Sequence, residues 1–248
     1  MKYISSLQNP EVKELVALQM PKGRAKFKKC LFQGLRIIKT GLSSNLKLDK
    51  IYVTEPNLSK ISDLVSQEKI ILVSEQVAKK IGTVEECSGL IATFFIPDQL
   101  SVHDLGAGLV LAQINDPGNM GTLIRTAAAC NVKNIIIVEG VDTWSPKVIQ
   151  SSAGTIALVN IFDISWSELV SFKKNLKLCG LVIKNGISIT KIDPKESLLV
   201  VGNEAHGLPI EWQKQCDYLA TLPMPGNIES LNAAVAGSIA LYLAYVKC

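Results

Sequence analysis

The sequence predicts an α/β protein in two parts. A small α/β domain covers residues 1–97, a linker covers 98–106, and a mainly parallel sheet with helices on both faces covers 107–248. Three observations carry this. Short apolar runs such as Ile70-Ile-Leu-Val73, Asn134-Ile-Ile-Ile-Val138 and Leu198-Leu-Val-Val201 alternate with segments of helical spacing. That alternation builds parallel sheets covered on both faces. The stretch Pro97-Asp98 to Gly106 interrupts the pattern. Charge is also divided unevenly: residues 1–50 hold 11 Lys/Arg against 3 Asp/Glu, whereas the remaining 198 hold 15 against 19. A basic front joined to a slightly acidic body marks a polyanion-binding module attached to something else.

The elements follow in order. Ile4-Ser-Ser-Leu-Gln-Asn9 reads as a turn, and Pro10 opens a helix whose Val12, Leu15 and Val16 recur at helical spacing. Lys22, Arg24, Lys26, Lys28 and Lys29 put five cations into eight residues, with Phe27 among them. Such a run attracts phosphates, while Phe27 is expected to pack inward. Residues 30–33 read as a short strand turning at Gly34 into a helix. Strands are expected at 50–53, 70–73 and 90–96, then at 108–114, 134–138, 157–162 and near 179–183. Helices are expected after Asn119 as N-cap and near 166–174, and 146–154 reads as a short helix or loop.

With 248 residues, 48% apolar and 19% charged, the composition is globular. The six cysteines form no C-x-x-C pair, and with only His103 and His206 no metal constellation is expected. Scattered thiols without a secretory signal point to a reducing, cytoplasmic setting, and the uncharged stretch Leu231–Val246 is too short for a membrane span.

Two C-terminal loops stand out. One follows the run 198–201 and reads Gly202-Asn203-Glu204-Ala-His206-Gly207-Leu-Pro209. The other reads Leu222-Pro-Met224-Pro-Gly226-Asn227-Ile-Glu229-Ser230-Leu231-Asn232, where proline and glycine restrict the backbone and Ser230 is placed to cap the final helix. Two rigid loops facing each other suit a flat ligand held by main-chain groups. A third segment, Asn115-Asp116-Pro117-Gly118-Asn119 through Cys130, carries Arg125 as its only charge after Asp116. An arginine among Leu, Ile and Ala calls for an anionic partner, either a substrate group or a structural carboxylate.

These three segments, in this order, resemble the signature motifs of the SpoU, or TrmH-type, RNA ribose 2′-O-methyltransferases of the SPOUT superfamily. The resemblance covers roughly residues 105–248. The front, from Ile4 to Gly34, is similar to the ribosomal-protein-like substrate-binding domain of many members, although Gln33 and Gln150 stand where members often have Glu and Arg. The resemblance implies a deep trefoil knot binding S-adenosylmethionine, with cofactor contacts at Gly202, Asn203, Leu222, Met224 and Leu231. It implies a catalytic set of Arg125, Asn119, Glu204, Ser230 and Asn232, no metal, a homodimer, and an RNA substrate, ribosomal RNA before transfer RNA. Lys22, Arg24, Lys26, Lys28 and Lys29 are the expected RNA contacts.

Two rival readings remain. A Rossmann-type enzyme would use Gly106-Ala-Gly108, but that fragment precedes its strand, where a phosphate-binding turn must follow one. A non-catalytic RNA-binding or ribosome-assembly protein would explain the basic front but not the joint presence of Asn119, Arg125, Glu204 and Asn232.

Overall fold

The structure is a computed structural model describing residues 1–82, 88–226 and 230–246. Cys87, Asn227, Glu229, Lys247 and Cys248 lie outside the described residues. Among the described residues no helix is long and apolar enough to cross a membrane.

Along the chain run β1 (Lys2–Ile4), α1 (Pro10–Ala17), α2 (Pro21–Phe27), β2 (Lys29–Gln33), α3 (Leu35–Leu42), β3 (Leu48–Val53), β4 (Ile70–Val73), α4 (Glu75–Ile81) and β5 (Leu90–Phe95). Then follow β6 (Gly108–Ala112), α5 (Pro117–Ala129), β7 (Asn134–Val138), α6 (Pro146–Ser151), β8 (Asn160–Asp163), α7 (Trp166–Phe172), β9 (Lys177–Leu181), β10 (Ile187–Ser188), β11 (Ser197–Val201), α8 (Ile210–Gln213), β12 (Tyr218–Thr221) and α9 (Ala233–Tyr245). The chain divides into two compact units, Met1–Pro97 with Trp144–Leu158, and Asp98–Thr143 with Val159–Cys248. Residues 144–158, which the sequence places with the C-terminal part, therefore group with the first unit.

The first unit is built on a sheet in the order β1-β4-β3-β5-β2, parallel from β1 to β3 and antiparallel through β5 and β2. Its core joins Ile4, Leu15, Leu18, Leu31, Tyr52, Ile71, Val77 and Ile91, with Phe27 half-buried against it. Asn9 caps α1 by accepting from Glu11 N, with Pro10 in the first turn. Gly23 lets α2 lie against the end of α1, since a Cβ there would sit 2.0 Å from the Ala17 carbonyl oxygen. β1 is a strand that the sequence does not announce; three residues are too few for periodicity to register, and pairing with β4 supplies their order, while the expected turn follows it before Pro10.

The second unit holds seven strands in the order β10-β12-β9-β11-β6-β7-β8, every pairing parallel. β11 enters between β6 and β9, so the chain reverses its direction of travel across the sheet beside β6. In open parallel sheets such a reversal leaves a crevice outside the carboxyl ends of the strands. Ser197–Val201 is buried throughout. Leu198 and Val200 pack with Val110, Ile136, Phe162 and Trp166 on one face, and Val201 meets α9 at Gly237 on the other. The expected strand over 157–162 is a 3-10 turn at Thr155–Leu158 followed by β8.

Candidate active site

The site is assembled at the carboxyl ends of β6, β9, β11 and β12. Beyond β6, α5 starts at Pro117 and not after Asn119. Asp116 is its N-cap, accepting from Asn119 N at 2.8 Å. The short carboxylate of Asp116 reaches the third helical N–H, which leaves the Asn119 side chain free to point elsewhere.

That side chain is the centre of the site. Asn119 Nδ2 donates to Glu204 Oε1 at 3.1 Å, and Asn119 Oδ1 accepts from Asn232 Nδ2 at 3.1 Å. The three motif segments, separated by as many as 113 residues, thus meet in one hydrogen-bonded chain. Glu204 also accepts from the backbone N–H groups of Asn115 at 3.3 Å and Asp116 at 3.1 Å. Asn232 in turn is the N-cap of α9, accepting from Ala234 N and Val235 N at 2.9 and 3.1 Å. Ser230, the expected cap, is exposed two residues earlier and lines the adjoining pocket.

The loop after β11 is built from main-chain contacts. Asn203 N and O bond Gly207 O and N at 3.1 and 2.9 Å, while Asn203 Oδ1 accepts from Ala205 N and His206 N. A Cβ on Gly202 would lie 2.4 Å from Leu208 N and 2.5 Å from the Gly207 carbonyl carbon, so only glycine allows this closure. His206 is an exposed residue of this turn. The loop walls a pocket of about 410 Å³ together with Val182 and Ile183 beyond β9, Leu222 and Met224 beyond β12, and Leu231. All five residues expected to contact the cofactor, Gly202, Asn203, Leu222, Met224 and Leu231, line it. A Thr221 hydroxyl bond to the Ile183 carbonyl at 2.9 Å ties two of its walls. The volume falls within the usual range for small-molecule sites, and its lining joins apolar side chains such as Val182, Leu222, Met224 and Leu231 to the loop after β11.

For Arg125 the sequence leaves two readings, a substrate group or a structural carboxylate as its partner. It is exposed on α5, and among the described residues it takes part in no salt bridge. The structural ion pair that its apolar neighbours suggested is therefore not made among those residues. Leu123, Ile124 and Ala127 take the buried face of the helix, and Arg125 takes the opposite one.

The basic run behaves unevenly because it is a helix. Lys22, Lys26 and Lys28 are exposed. Arg24 is 3% exposed and donates through Nη1 to the Leu18 carbonyl at 2.7 Å, so it is not available as an RNA contact. Lys29 pairs with Glu14 and Asp49, each at 2.9 Å, and its side chain keeps 19% exposure. Reading the run as a line of charge missed that one helical face turns inward. Glu11 pairs with Lys2 and Lys50, so all three acids among residues 1–50 are neutralised within the unit. Lys47, which the sequence reading passed over, is exposed with its Nζ 5.4 Å from the Phe95 ring centroid. Gln33 is buried and Gln150 exposed.

Burial of Glu204 would raise its pKa, but the Asn119 amide and the N–H groups of Glu204, Asp116 and Asn115 together hold it below the usual 4.5. A carboxylate lowered on folding stabilises the native state above its ordinary pKa, and that stabilisation is lost as pH falls through and below it. Melting temperature followed from pH 6 to pH 3 is expected to fall less steeply for Glu204→Gln than for the wild type, because the variant has no proton to take up at this site.

The residues just described lie within known sequence families. Residues 107–242 match the family model described as the SpoU rRNA Methylase family, and residues 9–92 match the MRM3-like substrate binding domain. The chain is 31% identical to an uncharacterized tRNA/rRNA methyltransferase of Synechocystis sp., over 96% of this chain and 92% of that one. It is 28% identical to the 23S rRNA (guanosine(2553)-2′-O)-methyltransferase RlmP of Bacillus subtilis, over 98% of both. Its fold matches the crystal structure of an AdoMet-bound rRNA methyltransferase from Sinorhizobium meliloti, with a TM-score of 0.86, 25% identity, and coverage of 98% of this chain and 97% of that one. The convergence of Asn119, Glu204 and Asn232 beside the pocket thus has its counterpart in the sequence relationship: the chain belongs to the SpoU rRNA methylase family.

Proposed function

We propose that this protein transfers a methyl group from S-adenosylmethionine to a ribose 2′-hydroxyl of ribosomal RNA. The observation that carries the reading is the joining of Asn119, Glu204 and Asn232 next to the pocket lined by Gly202, Leu222, Met224 and Leu231. Relatives that act on 23S rRNA at 2′-hydroxyls, such as RlmP, support the ribosomal choice over transfer RNA. A bound cofactor supplies an activated methyl on a sulfonium, so the protein's own groups need only position the ribose and ease loss of its proton. The pocket fits that cofactor through main-chain groups of residues 202–208 and the side chains of Leu222, Met224 and Leu231. A trefoil knot in the C-terminal chain path and a cytoplasmic setting belong to the same reading.

Within it, Arg125 is the catalytic residue. A guanidinium stays protonated at any working pH, so it is a poor base but a good clamp for the phosphate beside the target ribose. The ribose proton leaves toward that phosphate. Glu204 and Asn232 hold the loops, Asn119 links them, and Ser230 is available to touch RNA at the pocket rim. Lys22, Lys26 and Lys28 supply phosphate contacts from the first unit, and Lys47 is available to join them.

Calorimetric titration with S-adenosylmethionine tests the reading first, since a non-catalytic RNA-binding protein would give no heat. Arg125→Ala is expected to lower turnover by about a hundredfold or more, the scale of a lost acid–base or clamping group. Because Arg125 is exposed and makes no salt bridge among the described residues, stability should stay within about 0.5 kcal/mol of wild type. Arg125→Lys should restore little, as an ammonium lacks the planar fork. Single-turnover methylation and thermal melting on the same variants decide the point.

RNA affinity should depend on salt through the exposed lysines. Replacing Lys26 and Lys28 together by Ala should reduce the slope of log K against log salt by about 1.4–1.8, while S-adenosylmethionine affinity is unchanged.

A homodimer completes the proposal. Val235, Ile239, Tyr242 and Leu243 are 47, 40, 54 and 40% exposed along one face of α9, an apolar stripe that a second copy would cover. Light scattering should give twice the chain mass at micromolar concentration, and Ile239→Asp should shift it toward the monomer.

A further inference from the structure

Two residues at the ends of neighbouring strands hold an unusual backbone conformation. Gln113, directly after β6, has φ +56°, and Glu139, directly after β7, has φ +52°. Left-handed backbone is disfavoured for residues with a Cβ, and neither has the short amide or carboxylate that eases it in Asn and Asp. Such conformations persist only where their surroundings hold them. Here the holding contacts are on both sides. The Gln113 N–H donates to the Val138 carbonyl at 2.8 Å, and Gln113 Nε2 donates to Glu139 Oε2 at 2.8 Å. The left-handed turn then presents the Gln113 carbonyl to Asn203 Nδ2, again at 2.8 Å.

Asn203 is the residue on which the loop after β11 is folded, through its bonds to Ala205 N, His206 N and Gly207. Gln113 stands two residues before Asn115 and three before Asp116, whose N–H groups engage Glu204. One carbonyl therefore fixes the pocket wall against the segment that carries Asn119. We propose that Gln113 is a positioning residue: anchored on Glu139 in the left-handed conformation, it sets the loop after β11 in register with the start of α5. Its consequence for the cofactor rests on the proposed reading of the pocket, whereas the loop geometry does not.

The test compares side chains that forbid or permit the left-handed turn. Gln113→Val disfavours it and should weaken S-adenosylmethionine binding about tenfold and speed amide exchange at Ala205 and His206. Gln113→Gly permits it at no steric cost and should recover most of the lost affinity and protection. If the Val variant does not fold, Gln113→Ala replaces it in the same comparison. Glu139→Ala should weaken binding in the wild-type background and add nothing in the Gln113→Gly background, because Glu139 acts only by holding Gln113. Wild-type affinity and exchange in the Val or Ala variant would overturn the proposal. So would a Gly variant as impaired as the Val variant, or an additive effect of Glu139→Ala. A wild-type protein that binds no S-adenosylmethionine would overturn the cofactor reading alone, and amide exchange would still decide the role of Gln113.

Discussion

The Glu204 carboxylate, set against the amino end of α5, is the contact on which the site is assembled. The first N–H groups of a helix and of the turn before it have no partner inside the helix, and they carry the positive end of its dipole. Asp116 satisfies one of them from within the same segment. Glu204, arriving from the end of β11 some 88 residues later in the chain, satisfies those of Asn115 and Asp116. Burial opposes an ionised carboxylate there, and the ring of N–H donors overcomes that opposition. With Glu204 in place, Asn119 has a fixed acceptor on one side and offers its own oxygen to Asn232 on the other. The start of α9 is thereby attached to the same junction, since Asn232 also caps that helix.

The pocket beside this junction follows a different rule. Its walls are loops at the carboxyl ends of parallel strands, closed by backbone contacts. Gly202 lies against Gly207 and Leu208 at distances that exclude any side chain. Because β11 beneath is fully buried and paired on both sides, the loop that follows it has a rigid base. The junction and the pocket meet at Glu204, which lines the pocket and accepts from Asn119.

Much of this was legible in the sequence, for identifiable reasons. The buried strands announce themselves as apolar runs, and the three ordered segments carry residues that a plain α/β scaffold does not need. Boundaries that depend on a tertiary partner were not legible. Asn119 reads as a cap because its side chain suits one, yet Asp116 caps α5 and Asn119 bonds across the sheet. Ser230 reads as a cap by the same logic, and Asn232 takes the place. Arg24 reads as one more cation in a run, and the turn of a seven-residue helix buries it on the Leu18 carbonyl. Gln113 and Glu139 left no signal, since left-handed backbone at a non-glycine residue has no compositional mark.

The arrangement of charge gives the reading of Arg125 its physical basis. An arginine on an otherwise uncharged helix would ordinarily be explained by a nearby acid. Glu204 is the acid that the motifs bring to this end of the sheet, and its oxygens already accept from Asn115, Asp116, Asn119 and Asn203. A carboxylate so occupied has little left to offer a guanidinium. The first fifty residues repeat the pattern: Glu11, Glu14 and Asp49 are all engaged by Lys2, Lys50 and Lys29, while Lys22, Lys26, Lys28 and Lys47 stay exposed and form no salt bridge among the described residues. The Glu204 carboxylate and the three acids of residues 1–50 are thus engaged inside the fold, while Arg125, Lys22, Lys26, Lys28 and Lys47 are exposed. Exposed cations keep their affinity for an external polyanion, and an RNA backbone is the polyanion that the proposed function supplies.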